Sequence, residues 1–172
     1  MSLPITPPTR LAATLPEEDG HALQLVAALN PHCVVCGHQN PHGLQLTFRV
    51  NGNGVTAEWV PGKNSESFQG VIHGGVVSTV LDEAMSKAII AQGLEAFTVD
   101  LQVRFKQKVR TGETVWARGW MVEHQKRRIT AEAIICNGSG DEHAHAWGVF
   151  LIPPRPSGVS SGIEPPAAST VA

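Results

Sequence analysis

The residues with the clearest chemical potential are His73, Gly74 and Gly75, followed after six residues by Asp82 and Glu83. The run between them predicts a helix that starts at the glycines and ends near Gln92-Gly93, with Gly93 as its C-cap. At about 100° per residue, Asp82 falls beside Ser78, Met85 and Ile89, at the edge of the apolar face. Glu83 falls on the polar side, one turn from Lys87, where an exposed ion pair is expected. Asp82 has no partner on the helix, and a partly desolvated carboxylate is a better base or nucleophile. Its plain alternative is a solvated helix residue. Gly74 and Gly75 leave bare backbone at the helix start. Their orphan N–H groups and the positive end of the dipole suit a developing oxyanion. His73 sits at the mouth. A tight turn and a satisfied imidazole are the ordinary readings of these three residues. With a carboxylate two turns further on, about 10 Å along the axis, they suit attack on an acyl carbonyl.

The flanking elements read as strands. Leu44, Leu46, Phe48 and Val50 alternate with polar residues, and Asn51-Gly52-Asn53-Gly54 is a hairpin turn signal. Val55, Ala57 and Trp59 alternate again before Pro61-Gly62. After the helix, Phe97, Val99, Leu101, Val103 and Phe105 give the clearest twofold period in the chain. Three more strands are expected over 114–123, 127–136 and 143–152. The helix carries apolar pairs at Val76-Val77, Val80-Leu81, Ala84-Met85 and Ala88-Ile89, so more than half of its surface needs cover. Six strands curled around one central helix would supply that cover, an α+β arrangement.

The chain has 172 residues, a net charge of -2 and 42% hydrophobic residues, which suit one globular domain. Residues 1–16 contain four prolines and are expected to form a flexible arm. A short helix is expected from Glu17, with Leu25, Val26 and Leu29 as its apolar stripe and Asn30-Pro31 as its end. The domain is placed at 17–152, and the Pro-, Gly- and Ser-rich stretch 153–172 is expected to be disordered. No apolar run is long enough to span a membrane, and no leader pattern is read. Three cysteines form no disulfide framework and suit a reducing cytoplasm.

The segment HGGVVSTVLDEA, set between two short strands and four later ones, resembles the active-site helix of hotdog-fold acyl-CoA thioesterases. The resemblance is to the phenylacetate-degradation and 4-hydroxybenzoyl-CoA type within the thioesterase superfamily, over roughly 30–152. It implies a hotdog fold and hydrolysis of an acyl-CoA to a carboxylic acid and free CoA. It implies that Asp82 is nucleophile or general base, that Gly74 donates its N–H to the thioester oxygen, that His73 helps to place the carbonyl and that Thr98 orients water. Gly75 is grouped with the substrate-binding residues. Many members carry Asn or Gln six residues before the histidine; this chain has Ser67 there, with Gln69 close by. The CVVCGHQNPHGLQLTF segment also looks like the lead-in to the first strand in some members. The resemblance further implies a homodimer or dimer of dimers with sites at the seam, and no cofactor. A non-catalytic acyl-CoA-binding protein is the alternative, and a hydratase or dehydratase a weaker one, since the chain has no Asp-x4-His pattern.

Eight of the thirteen Lys and Arg residues lie between Arg104 and Arg128, a local excess of six positive charges. Lys106, Lys108, Arg127 and Arg128 are the candidates to hold CoA phosphates. A charged face that guards a sheet edge is the competing reading. No aromatic residues interleave with the bases, so nucleic acid is not an expected partner. Cys33-x-x-Cys36, with His32, His38 and His42 nearby, offers metal ligands, but the spacing fits no standard finger. A turn with two small, semi-buried residues is favoured, with no metal. His143 and His145 are expected as a surface pair, and Trp116 and Trp120 as a shared strand face in the core or at a subunit interface.

Overall fold

The computed structural model describes residues 29–154. The arm at 1–16, the helix expected from Glu17 except its last two residues, and the tail beyond Pro154 lie outside them. The elements are β1 (Arg49–Asn51), β2 (Gly54–Trp59), a 3-10 turn (Lys63–Ser65), β3 (Glu66–Phe68), β4 (Val71–Ile72), α1 (Gly74–Ile90), β5 (Phe97–Phe105), β6 (Val115–Gln125), β7 (Arg128–Cys136) and β8 (Glu142–Leu151). Six strands form one antiparallel sheet in the order β1-β2-β6-β7-β8-β5, and β3 pairs with β4 in a separate hairpin. This is the hotdog arrangement, one helix against a curved six-stranded sheet. No helix among the described residues is long and apolar enough to cross a membrane.

The apolar pairs of α1 bury Val77, Val80, Leu81, Ala84, Met85, Ala88 and Ile89. Each large side chain among them contributes about 1.5–3 kcal/mol by leaving water. The sheet meets the helix with small residues: Ala117 and Gly119 of β6, Ala131 and Ala133 of β7, Ala144 and Ala146 of β8. Gly119 is the closest approach, since a Cβ there would stand 2.3 Å from the Ala84 carbonyl oxygen. The helix backbone therefore rests directly on β6.

Four expectations change. The run from Leu44 is not one strand, because Gln45 takes a left-handed φ of 54°. Leu44 and Leu46 instead bond back to the carbonyls of Val34 and Val35, and the ladder starts only at Arg49. The short β3–β4 hairpin breaks the expected succession of two strands and a helix, and it is pinned by the Ile72 N–H to the Val109 carbonyl. Trp116 and Trp120 lie half-buried on the outer face of β6, opposite the helix, rather than in the core. His143 is not a surface residue: it is 4% exposed and its Nδ1 bonds the Lys108 carbonyl, whereas His145 stacks on Trp147 and pairs with Glu132.

Candidate active site

The helix start is built by His73. Its backbone is extended, with φ −61° and ψ 130°, and its Nδ1 accepts the Gly75 N–H at 2.9 Å, which caps the helix. A Cβ on Gly75 would stand 3.0 Å from that nitrogen and press on the capping ring. The cap corrects the expected pair of backbone donors. The Gly75 N–H is taken, and Val76 and Val77 both donate to the His73 carbonyl. The Gly74 N–H has no partner among the described residues. With Nδ1 accepting, a neutral His73 carries its proton on Nε2, at the exposed edge of the ring. The free donors at the mouth are thus the Gly74 N–H and the His73 Nε2–H.

Asp82 sits two turns further along, half-buried as its position at the margin of the apolar face predicts. The Thr98 hydroxyl, near the start of β5, donates to its Oδ1 at 2.8 Å. Burial raises the proton affinity of Asp82 above the ordinary carboxylate range, and the Glu83 carboxylate adds to the rise, while the Thr98 hydrogen bond opposes both. A β-bulge between Thr98 and Asp100 sits beside this contact, a placement common near functional sites. Asp82 and Thr98 are therefore brought together, sixteen positions apart in sequence.

Glu83 does not sit on an exposed face. Lys87, its partner at 3.7 Å, is 2% exposed, and Cys33 and Cys36 lie against Glu83 on this side of the helix. Cys33 Sγ lies 3.8 Å from Glu83 Oε2, and Cys36 lies beside both groups. Burial, with the Glu83 carboxylate beside it, pushes the Cys36 thiol up to about 12, which disqualifies it as the nucleophile of the site. Among the expected ligands, His32, His38 and His42 are exposed.

A cleft of about 300 Å³ opens beside the helix start, lined by Val71, Ile72, Gly74 and Val77 and by residues 105–109. It brings Lys106 and Lys108 to the mouth, with Lys106 paired to Glu142. The other two candidate cations are remote from it. Phe105 pairs with Ala144 of β8, while Arg128 pairs with Leu151, seven residues or about 23 Å further along the strand. Arg127 donates from Nε to the Ile152 carbonyl, a structural bond. The basic segment is therefore split between opposite ends of one chain. Ser67 and Gln69 are exposed on the β3–β4 hairpin.

A family model described as "Thioesterase superfamily" matches residues 69–144, which include the helix start, Asp82 and Thr98. A search of curated proteins finds no match. Among solved structures, a thioesterase superfamily protein is 21% identical with a TM-score of 0.68, covering 70% of this chain and 63% of that one, so this chain spans less than two thirds of that relative. Zebra fish thioesterase superfamily member 2 is 18% identical with a TM-score of 0.60, covering 67% of this chain and 89% of the other. A Streptococcus mutans protein solved with acetyl CoA is 18% identical, TM-score 0.59, covering 63% and 88%. A hypothetical thioesterase from Streptococcus pneumoniae has been solved with coenzyme A, and also as an aspartate-to-alanine and a threonine-to-alanine variant whose altered positions are sixteen apart. The chain therefore has the hotdog fold, and over residues 69–144 it is similar to the thioesterase superfamily.

Proposed function

We propose that the protein hydrolyses the thioester of an acyl-CoA to a carboxylic acid and free CoA, in the manner of the phenylacetate-degradation and 4-hydroxybenzoyl-CoA type. The observation that carries this reading is the half-buried Asp82 carboxylate held by Thr98. The same sixteen-residue spacing separates the two altered positions of the Streptococcus pneumoniae thioesterase, which supports the assignment. Asp82 either attacks the carbonyl carbon, forming an anhydride that water then cleaves, or takes the proton of an attacking water. The Gly74 N–H and His73 Nε2–H stabilise the oxyanion, and CoA leaves as the thiolate, which takes up the proton given by the attacking water. Lys106 and Lys108 hold the CoA phosphates at the cleft mouth, and the apolar walls take the acyl chain. Three free cysteines suit a cytoplasmic setting.

These groups do not converge within one chain. Gly74 and Asp82 are eight residues apart on α1, about 12 Å along the axis. A reacting carbon lies about 3 Å from its nucleophile, and its oxygen about 3 Å from the donors. The site is therefore completed by a second copy: His73 and Gly74 come from one chain, Asp82 and Thr98 from the other, in a homodimer or dimer of dimers. An antiparallel pairing also brings the Arg127-Arg128 end of one copy toward the Lys106 and Lys108 of the other.

The test is thioester hydrolysis over a panel of aliphatic and aromatic acyl-CoAs. Asp82→Asn is expected to lose at least about 100-fold in kcat. It also melts higher than the parent at neutral pH. A raised folded-state proton affinity means that stability is lost as pH climbs through it, and the amide removes that loss. Near-normal turnover of Asp82→Asn, or no turnover of any thioester by the parent, ends this reading.

A further inference from the structure

The segment that covers the back of α1 brings three metal-ligand side chains together. The sulfurs of Cys33 and Cys36 and a carboxylate oxygen of Glu83 all lie within 4.8 Å of one another. The Cys33 sulfur stands 3.8 and 3.9 Å from the two Glu83 oxygens. Zinc bonds of about 2.3 Å to sulfur and 2.0 Å to oxygen, opened at the tetrahedral angle, place such atoms about 3.5 Å apart. The Cys33–Glu83 pair needs to close by only a few tenths of an ångström.

The backbone around them is shaped for the purpose. The Val35 N–H donates to the Cys33 sulfur, 3.4 Å away, and fixes its direction. The Gly37 N–H closes on the Cys33 carbonyl at 3.0 Å, folding the four residues back on themselves. Only glycine fits there: a Cβ on Gly37 would stand 2.4 Å from the Cys33 nitrogen and 2.5 Å from the Pro31 carbonyl oxygen. The charges also balance. Two thiolates, one carboxylate, a divalent cation and the Lys87 ammonium beside Glu83 come to zero, which suits a site where Lys87 is almost fully buried.

We infer that Cys33, Cys36 and Glu83 bind a thiophilic divalent cation, zinc, with water in the fourth position. Two thiolates select such a metal over magnesium or calcium. The ion ties the lead-in segment to the central helix at the residue next to Asp82, without any need for it to touch the thioester. The inference stands on its own geometry and does not depend on the proposed hydrolysis.

The experiment uses the full chain, purified anaerobically under reducing conditions from zinc-supplemented cells. About one zinc per chain is expected by plasma emission. Cys33→Ser with Cys36→Ser drops the metal to background, and Cys136→Ser retains it. Cobalt in place of zinc gives thiolate-to-cobalt charge transfer and the intense visible bands of a tetrahedral ion. Glu83→Gln shifts those bands and weakens retention against a chelator by at least about tenfold. The parent protein's cobalt spectrum decides the matter even if the double variant fails to fold. Folded parent protein that develops no cobalt bands, equal metal content in the double variant, or a Cys33–Cys36 disulfide in the anaerobic preparation overturns the inference.

Discussion

At the residue scale, Asp82 is held between opposing influences. Burial and Glu83 favour its acid form, and Thr98 favours the carboxylate. The base form exists only above its proton affinity, so the acid limb of kcat/KM is expected above the ordinary carboxylate range. Thr98→Val keeps the shape and removes the donor that opposes the rise. Its acid limb moves to higher pH, with the largest loss of rate on the acid side. A pH–rate profile of the two proteins checks this, and an unmoved limb would show that the hydroxyl does not act on the carboxylate. Asp82 was legible in the sequence, because its angle on the helix follows from counting. Its bond to Thr98 was not, since the two meet only when β5 folds against α1. Glu83 was misread for a related reason. Helical periodicity describes one cylinder, and the Cys33 side chain that meets Glu83 comes from fifty positions away in sequence. The capping of the Gly75 N–H by His73 also depends on a side-chain rotamer that no spacing rule fixes.

At the scale of elements, the helix and β5 to β8 follow from periodicity, whereas their contacts follow from residue size. Gly119 occupies the inward parity of β6, but nothing in the sequence says that the Ala84 carbonyl lies above it. Gly119→Ala forces helix and strand apart and is expected to cost about 1–3 kcal/mol. In a chain of this size that lowers Tm by about 3 °C per kcal/mol. A thermal melt at an unchanged midpoint would mean that the helix does not rest there. Beyond Phe105 the regular ladder of β5 ends, and the N–H groups of Lys106 and Gln107 both turn to the His143 carbonyl. This break carries Lys106 and Lys108 to the cleft mouth, away from the strand parity that the sequence suggests. Replacing both lysines by alanine is expected to raise KM for acyl-CoA with little change in kcat, since remote phosphates bind ground and transition states alike. Added salt shrinks the difference. An acyl-pantetheine, which lacks the nucleotide, is nearly indifferent to the change. Equal losses on both substrates would assign the lysines a structural role instead.

At the scale of the whole molecule, β5 closes one edge of the sheet, with only β8 beside it among the described residues. Its apolar residues, with Phe97 60% and Phe105 54% exposed, are the twofold period that reads in the sequence as a strand. A free edge carrying large apolar side chains is a surface to be paired. Pairing two copies there also answers the 12 Å gap between Gly74 and Asp82. The dependence of one copy on the other can be tested without a structure of the pair. Gly74 is the first residue of α1, where proline is tolerated, and His73 already has the extended backbone that precedes proline. Gly74→Pro therefore removes one N–H while keeping the helix, with only the exposed Phe105 ring to yield. It is expected to lose about 100- to 1000-fold in kcat. Asp82→Asn is expected to be inactive for a different reason. When the two proteins are unfolded together and refolded in equal amounts, half of the dimers are mixed. Each mixed dimer carries one site with a doubly altered set and one site with an intact Gly74 and an intact Asp82. Activity therefore returns to about a quarter of the parent value. If each chain held its own complete site, every site in the mixture would lack one group and no activity would return.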